Sequence, residues 1–173
     1  MPLAKKMKHP VPNQHLIHIG DVVVSFALLE LAIQSLIGSL IFEHQRVGQI
    51  ITAELSFKNL RALAISLYLD RHGEDSDYSK LKPLMNEAGK IEETRNNIIH
   101  SIWAAGKDKD HITRIKTTAK EKKGLAFCFE ELSVSDLESF AGKIQQCAGS
   151  VQSFNFELIK TKKAINNPIL KLW

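Results

Sequence analysis

The stretch VVVSFALLELAIQSLIGSLIF, Val22 to Phe42, decides what kind of protein this is. About 20 apolar residues are enough to cross a bilayer. This run, however, carries Glu30 near its middle and Ser25, Gln34, Ser35 and Ser39 around it. An unpaired carboxylate at membrane depth is costly. The reading is therefore a helix of a soluble bundle, spanning Asn13 to about Glu43, and no membrane partner is expected. A helix apolar nearly all round implies burial on several sides.

Working outward, Ile50, Ile51, Leu55, Leu60, Leu63, Ala64 and Leu67 recur at helical spacing, which predicts one helix over Val47–Leu69. Gly73 is placed to cap its end. A third helix is expected from Asp77 or Ser79 to about Ala105, with Leu81, Leu84, Ala88, Ile91, Ile98 and Ile102 as its inner stripe. The text then changes. Ile, Thr and Phe alternate with polar residues on both sides of a charged turn ending in Gly124, which predicts a β-hairpin of Ile112–Ala119 with Leu125–Glu130. Ser133 or Ser135, each followed three residues on by an acid, caps a last helix running to about Lys163. The fold class expected is all-α: an antiparallel four-helix bundle with a β-hairpin, at about 111–130, inserted before the last long helix. One domain, 13–165, is flanked by a flexible basic arm, 1–12, and a tail, 166–173.

Net charge is mild, at +4, so an anionic partner is permitted but not demanded. The two cysteines, Cys128 and Cys147, are far apart and form no C-x-x-C pair. They suggest a reducing compartment, and the chain is expected to be cytoplasmic. The histidines of HLIH, His15 and His18, stand one turn apart without an evident third ligand. No metal and no cofactor are expected. Phosphate-loop, zinc-protease and serine-elbow patterns are lacking.

Within EETRNNIIHSIW, Glu92–Trp103, a wheel at 100° per residue puts Arg95 inside the apolar stripe. Asn96 lies about 100° and His100 about 140° from it. Arginine is rarely buried without a partner. Its charge must be answered by a carboxylate, by another subunit or by an anionic ligand. Glu30 and Glu92 are the supporting carboxylates the sequence offers. A structural Arg–Glu pair, with a histidine at the rim of the core, explains the same residues without chemistry.

RNNIIH, in which Asn96 follows Arg95 and His100 comes after four intervening positions, resembles the motif of the HEPN superfamily (higher eukaryotes and prokaryotes nucleotide-binding domains). The helix order over most of the chain is similar as well. The resemblance implies a metal-independent endoribonuclease, acting as a homodimer with the active site composed across the two-fold axis. Toxin or defence effector roles are among those it implies, as are partners such as an antitoxin or a regulatory protein. It carries Arg95, Asn96 and His100 over as catalytic residues and implies 2′,3′-cyclic phosphate ends. The residue types suit the work: His100 exchanges protons near neutral pH, and Arg95 offers forked donors to phosphate oxygens. The alternative is a non-catalytic HEPN-like bundle that binds a protein partner, RNA or a nucleotide.

Between Lys107 and Lys123, seven basic residues face three acidic ones. Lys107, Arg114, Lys116, Lys120, Lys122 and Lys123 are candidate RNA-binding residues, beside the competing reading of lysines guarding an edge strand. His111 and Phe127 are candidates for base stacking, with the core as the more ordinary place for Phe127.

Overall fold

The computed structural model describes residues 9–41, 45–120 and 124–161. The expected N-terminal arm, 1–12, therefore falls mostly, and the tail, Lys122 and Lys123 entirely, outside the described residues. The elements in chain order are α1 (Asn13–Ile41), α2 (Gln45–Thr52), α3 (Phe57–His72), α4 (Tyr78–Ile99), β1 (Ile102–Ala105), β2 (His111–Lys120), β3 (Gly124–Ser133) and α5 (Val134–Lys160). The chain is thus mostly helical, with a small sheet ahead of its last long helix.

Two expected helices differ from those found. The span Val47–Leu69 is broken into α2 and α3, because Ser56 takes an extended conformation and its hydroxyl accepts the Asn59 N–H at 3.3 Å. That bond starts a new helix where periodicity alone would continue the old one. The third helix stops at Ile99, not near Ala105. His100 is its C-cap, and Ile102–Ala105 pairs with β2 instead. The expected hairpin is therefore a three-stranded antiparallel sheet of order β1-β2-β3, with Ile102 opposite Ile115 and Ile115 opposite Phe129. Gly73 caps α3 as expected, and Ser133 caps α5 in a full capping box with Asp136.

The helix directions also differ from an up-and-down bundle. Phe26 of α1 packs on Phe57 at the start of α3, and Arg71 at its end donates to the Ile41 carbonyl oxygen. Gln145 of α5 meets Ser25, whereas Asn155 lies beside Gln34 and Gly38. So α1, α3 and α5 run the same way and α4 runs against them, with Arg61 of α3 bonded to Met85 and Glu92. The short α2 supplies the return between α1 and α3. Its Gly48 sits so close to Gly38 that an added Cβ would lie 3.2 Å from the Gly38 Cα.

Leu29, Ile33, Leu36 and Ile37 of α1, Leu60 and Tyr68 of α3, Leu81 and Met85 of α4 and Ile144 and Val151 of α5 form the main core. A second cluster joins Val11, Ile98, Ile112 and Leu137 at the sheet end, so Val11 is packed rather than part of a loose arm. Helix α1 is buried on one face only. Ile17, Val24, Leu28 and Leu31 are exposed, against the expectation of burial on several sides. By length and composition α1 is apolar enough to cross a membrane.

Candidate functional site

Arg95, Asn96, Asn97 and His100 occupy the last turn of α4 and its cap. The helix ends there because β1 must begin two residues later, and the His100 N–H closes the final turn on the Asn96 carbonyl at 3.0 Å. His100 is exposed. The sheet folds back against this helix end, and Lys116 of β2 donates from Nζ to the Asn97 Oδ1 at 2.8 Å. The result is a shallow depression of about 230 Å³, lined by Asn96, Asn97, His100, Ser101, Ile102, Ile115, Lys116 and Thr117.

Arg95 is half-buried. Its guanidinium lies over the Phe26 ring, 4.8 Å from the centroid, and its Nη1 donates to the Asn96 Oδ1 at 3.0 Å. Its Nε is enclosed and makes no hydrogen bond. Neither supporting carboxylate answers it. Glu92 pairs with Arg61 at 3.3 Å, and no ion pair joins Glu30 to Arg95 among the described residues. A cation–π contact and one amide therefore hold the charge, both weaker than a buried ion pair. Arg95 does not line the depression that holds His100 and Asn96. Asn96 joins the two environments, with its side chain bonded to the arginine and its surface in the hollow.

The basic candidates separate. Arg114 is largely enclosed and paired across the strands with Glu130, so its charge is answered. Lys116, at the depression, donates to a neutral amide, and no acidic side chain pairs with it among the described residues. Lys107 is exposed, with its backbone N–H on Glu131. Lys120 ends β2, opposite Gly124. His111 is held against Asp108 at 2.6 Å, and that hydrogen bond keeps the Asp108 carboxyl below its usual range. His15 is buried, with Nε2 3.2 Å from the Asp110 carbonyl oxygen, tying α1 to the β1–β2 turn. Among the described residues, no three His, Cys, Asp or Glu side chains cluster as metal ligands do.

Phe127 is 56% and Phe129 65% exposed, so the core assignment for Phe127 does not hold. Sequence reasoning passed over Asn97, Ser101, Thr117 and Phe129. The alternation of Phe127 and Phe129 was visible, but not which face of the hairpin the helices cover. No family model, curated protein or solved structure matches the chain.

Proposed function

We propose that the chain is a metal-independent endoribonuclease of HEPN type, acting as a homodimer in which Arg95, Asn96 and His100 of two copies compose the active site. One observation carries this reading. Arg95 has no carboxylate partner among the described residues, and the one side chain bonded to its guanidinium, Asn96, opens with His100 onto the same hollow. A cation without a carboxylate partner among the described residues, linked through Asn96 to the hollow of an exposed imidazole, suits an anionic substrate.

The chemistry uses the nucleophile that RNA brings. His100 removes the 2′-OH proton, the 2′ oxygen bonds to phosphorus, and the bond from phosphorus to the 5′ oxygen breaks. The departing oxygen takes up a proton, leaving a 2′,3′-cyclic phosphate and a 5′-OH. Arg95 offsets the charge that builds on the phosphoryl oxygens, and Asn96 orients its guanidinium. Acid–base assistance of this kind is worth roughly 10²–10⁴-fold. Roles as a toxin or defence effector, with a cognate antitoxin or regulatory protein, and action in the cytoplasm belong to the same proposal.

The test is cleavage of mixed RNA with EDTA present, followed by end-group analysis. Wild type is expected to give cyclic phosphate ends, and Arg95→Ala and His100→Ala to fold and lose cleavage. Absence of cleavage by wild type, or full cleavage by both variants, removes the enzyme reading. One observation favours a second reading, a non-catalytic bundle that binds RNA, a nucleotide or a protein partner. The Arg95 guanidinium is stacked on Phe26 outside the depression, as a structural arginine would be. Binding of RNA without cleavage is its signature.

A further inference from the structure

A polar cleft opens where α1, α2 and α5 meet. Gln34, Ser35 and Ser39 of α1, Gln49 and Thr52 of α2 and Asn155 of α5 line a space of about 340 Å³. Gly38, also in its wall, lies about 18 Å along the axis of α1 from Phe26, so the cleft is separate from the surroundings of Arg95. Ser35 and Gln49 are exposed, which leaves the cleft open to solvent on that side, whereas Thr52 and Asn155 are buried.

Asn155 is the anomaly. It is only 9% exposed, and its Oδ1 is enclosed without a hydrogen-bond partner. Buried polar groups are normally bonded, and an unmet one lowers stability. The other inward residues of α5 near it are Ala148, Val151 and Leu158, so packing alone asks for an apolar side chain here. A carboxamide at this place suits a partner that enters the cleft. The rest of the wall is prepared for hydrogen bonds as well. The Ser39 hydroxyl donates to the Ser35 carbonyl oxygen at 3.1 Å and the Thr52 hydroxyl to that of Gly48 at 2.8 Å. Both oxygens are left to accept, while the carboxamides of Gln34, Gln49 and Asn155 carry donors and acceptors side by side.

We infer that this cleft binds a small uncharged polyol, about the size of one sugar ring, through the Asn155 carboxamide and the polar groups around it. The inference does not rest on the ribonuclease reading. Charge, shape and size each narrow the class. No Lys, Arg, Asp or Glu lines the cleft among the described residues, so a charged ligand would lose its hydration with no counter-charge in return. No aromatic ring lines it among them either, so a flat base has nothing to stack on. A ligand hydroxyl both donates and accepts, as do the groups that face it, so each can be met in either sense. Leu31 in the wall offers apolar surface to ring carbons. Small-molecule sites run from about 300 to 1,000 Å³, and this one stands at the lower end. Ordered water is the competing occupant, about ten molecules at ~30 Å³ each.

The experiment is saturation-transfer NMR on the full chain with D-glucose, D-ribose and myo-inositol, and with adenosine as a flat uncharged comparison. At least one of the three polyols is expected to take up saturation from the protein. Asn155→Leu keeps nearly the same volume without polar atoms. It should weaken that polyol by roughly 2–10-fold, the worth of a neutral hydrogen bond, and melt no lower than wild type. Gln34→Leu, on the half-buried side of α1, should weaken it to a similar degree and serves if the Asn155 variant does not fold. Transfer to none of the three polyols overturns the inference and leaves the cleft to water. An affinity unchanged in both variants overturns it too, because the polyol then binds elsewhere. Adenosine binding that Asn155→Leu abolishes, with no competition from the polyols, gives the cleft to a base and overturns the class. RNA cleavage enters none of these readings, so the ribonuclease proposal can fail while the cleft stands.

Discussion

The same substitution, glycine to alanine, is expected to act in opposite directions at two places in this chain. Gly106 follows β1, where the chain turns back into β2. A Cβ built there would lie 2.2 Å from the carbonyl oxygen of His111 and 2.4 Å from its carbonyl carbon. Both are backbone atoms, so no side-chain rotation relieves the clash. The strands must separate at the Ala105–Ile112 pair, and Ile112 is fully buried in the second core cluster. Overpacking of this kind costs about 1–3 kcal/mol. At Gly142, on the exposed side of α5, a Cβ meets nothing within 4 Å. Alanine there removes the entropic penalty of a helical glycine, worth roughly 0.5–1 kcal/mol. For a domain of this size, 1 kcal/mol moves the melting temperature by roughly 2–4 °C. Gly106→Ala should therefore melt about 2–12 °C below wild type and Gly142→Ala about 1–4 °C above it. Urea titration should place both on the same stability order with unchanged slope, since neither alters the area exposed on unfolding. A Gly106→Ala protein as stable as wild type would falsify the close approach on which the placement of β1 depends.

Three further outcomes follow from local chemistry. Ser133→Ala removes one partner of the capping box and should cost about 1 kcal/mol, read by urea unfolding near neutral pH. The Asp136 carboxyl is held below its usual range, first by the Ser133 hydroxyl and next by its N–H. A depressed carboxyl stabilises the fold above its unfolded value of about 3.9, and the contribution is lost as pH falls through the lower folded value. The stability gap between wild type and Asp136→Asn should hence be present at neutral pH and close only in acid. Burial pushes the Cys147 thiol up to about 11, whereas Cys128 is exposed on β3. Iodoacetamide on the folded protein should mark Cys128 first, with Cys147 reacting only after denaturation; equal labelling of both would contradict that packing.

Much of this architecture was legible in one dimension. The period of 3.6 found the long helices, and alternation found β2 and β3, because each pattern reports a face that must be buried. Gly73 and Ser133 announced their caps by residue type. What escaped was tertiary. Ser56 interrupts an unbroken apolar period, and only the need to reverse the chain beside α1 makes that serine a start signal. Ile102 fits a helical stripe and a strand equally well, and its pairing with Ile115 decides the matter. At the site, the residue types in RNNIIH were visible and their partners were not. Of the two carboxylates expected to answer Arg95 within the chain, neither does: Arg95 rests on Phe26, while Glu92 serves Arg61. Spacing along one helix says which side a charge faces. It does not say which ring or acid another helix brings there.

The one-sided burial of α1 has a consequence for quaternary structure. With Phe26 at the origin of a helical wheel, Ile17, Val24, Leu28 and Leu31 all fall within about 40° of the opposite pole. Arg95 sits over Phe26, so the greasy flank of α1 and the guanidinium look away from each other. Two chains that zipped together along that flank would carry their arginines on the outer walls of the pair, back to back. Symmetric pooling of the motif needs a different seam, and a chain possessing both seams would grow beyond two copies.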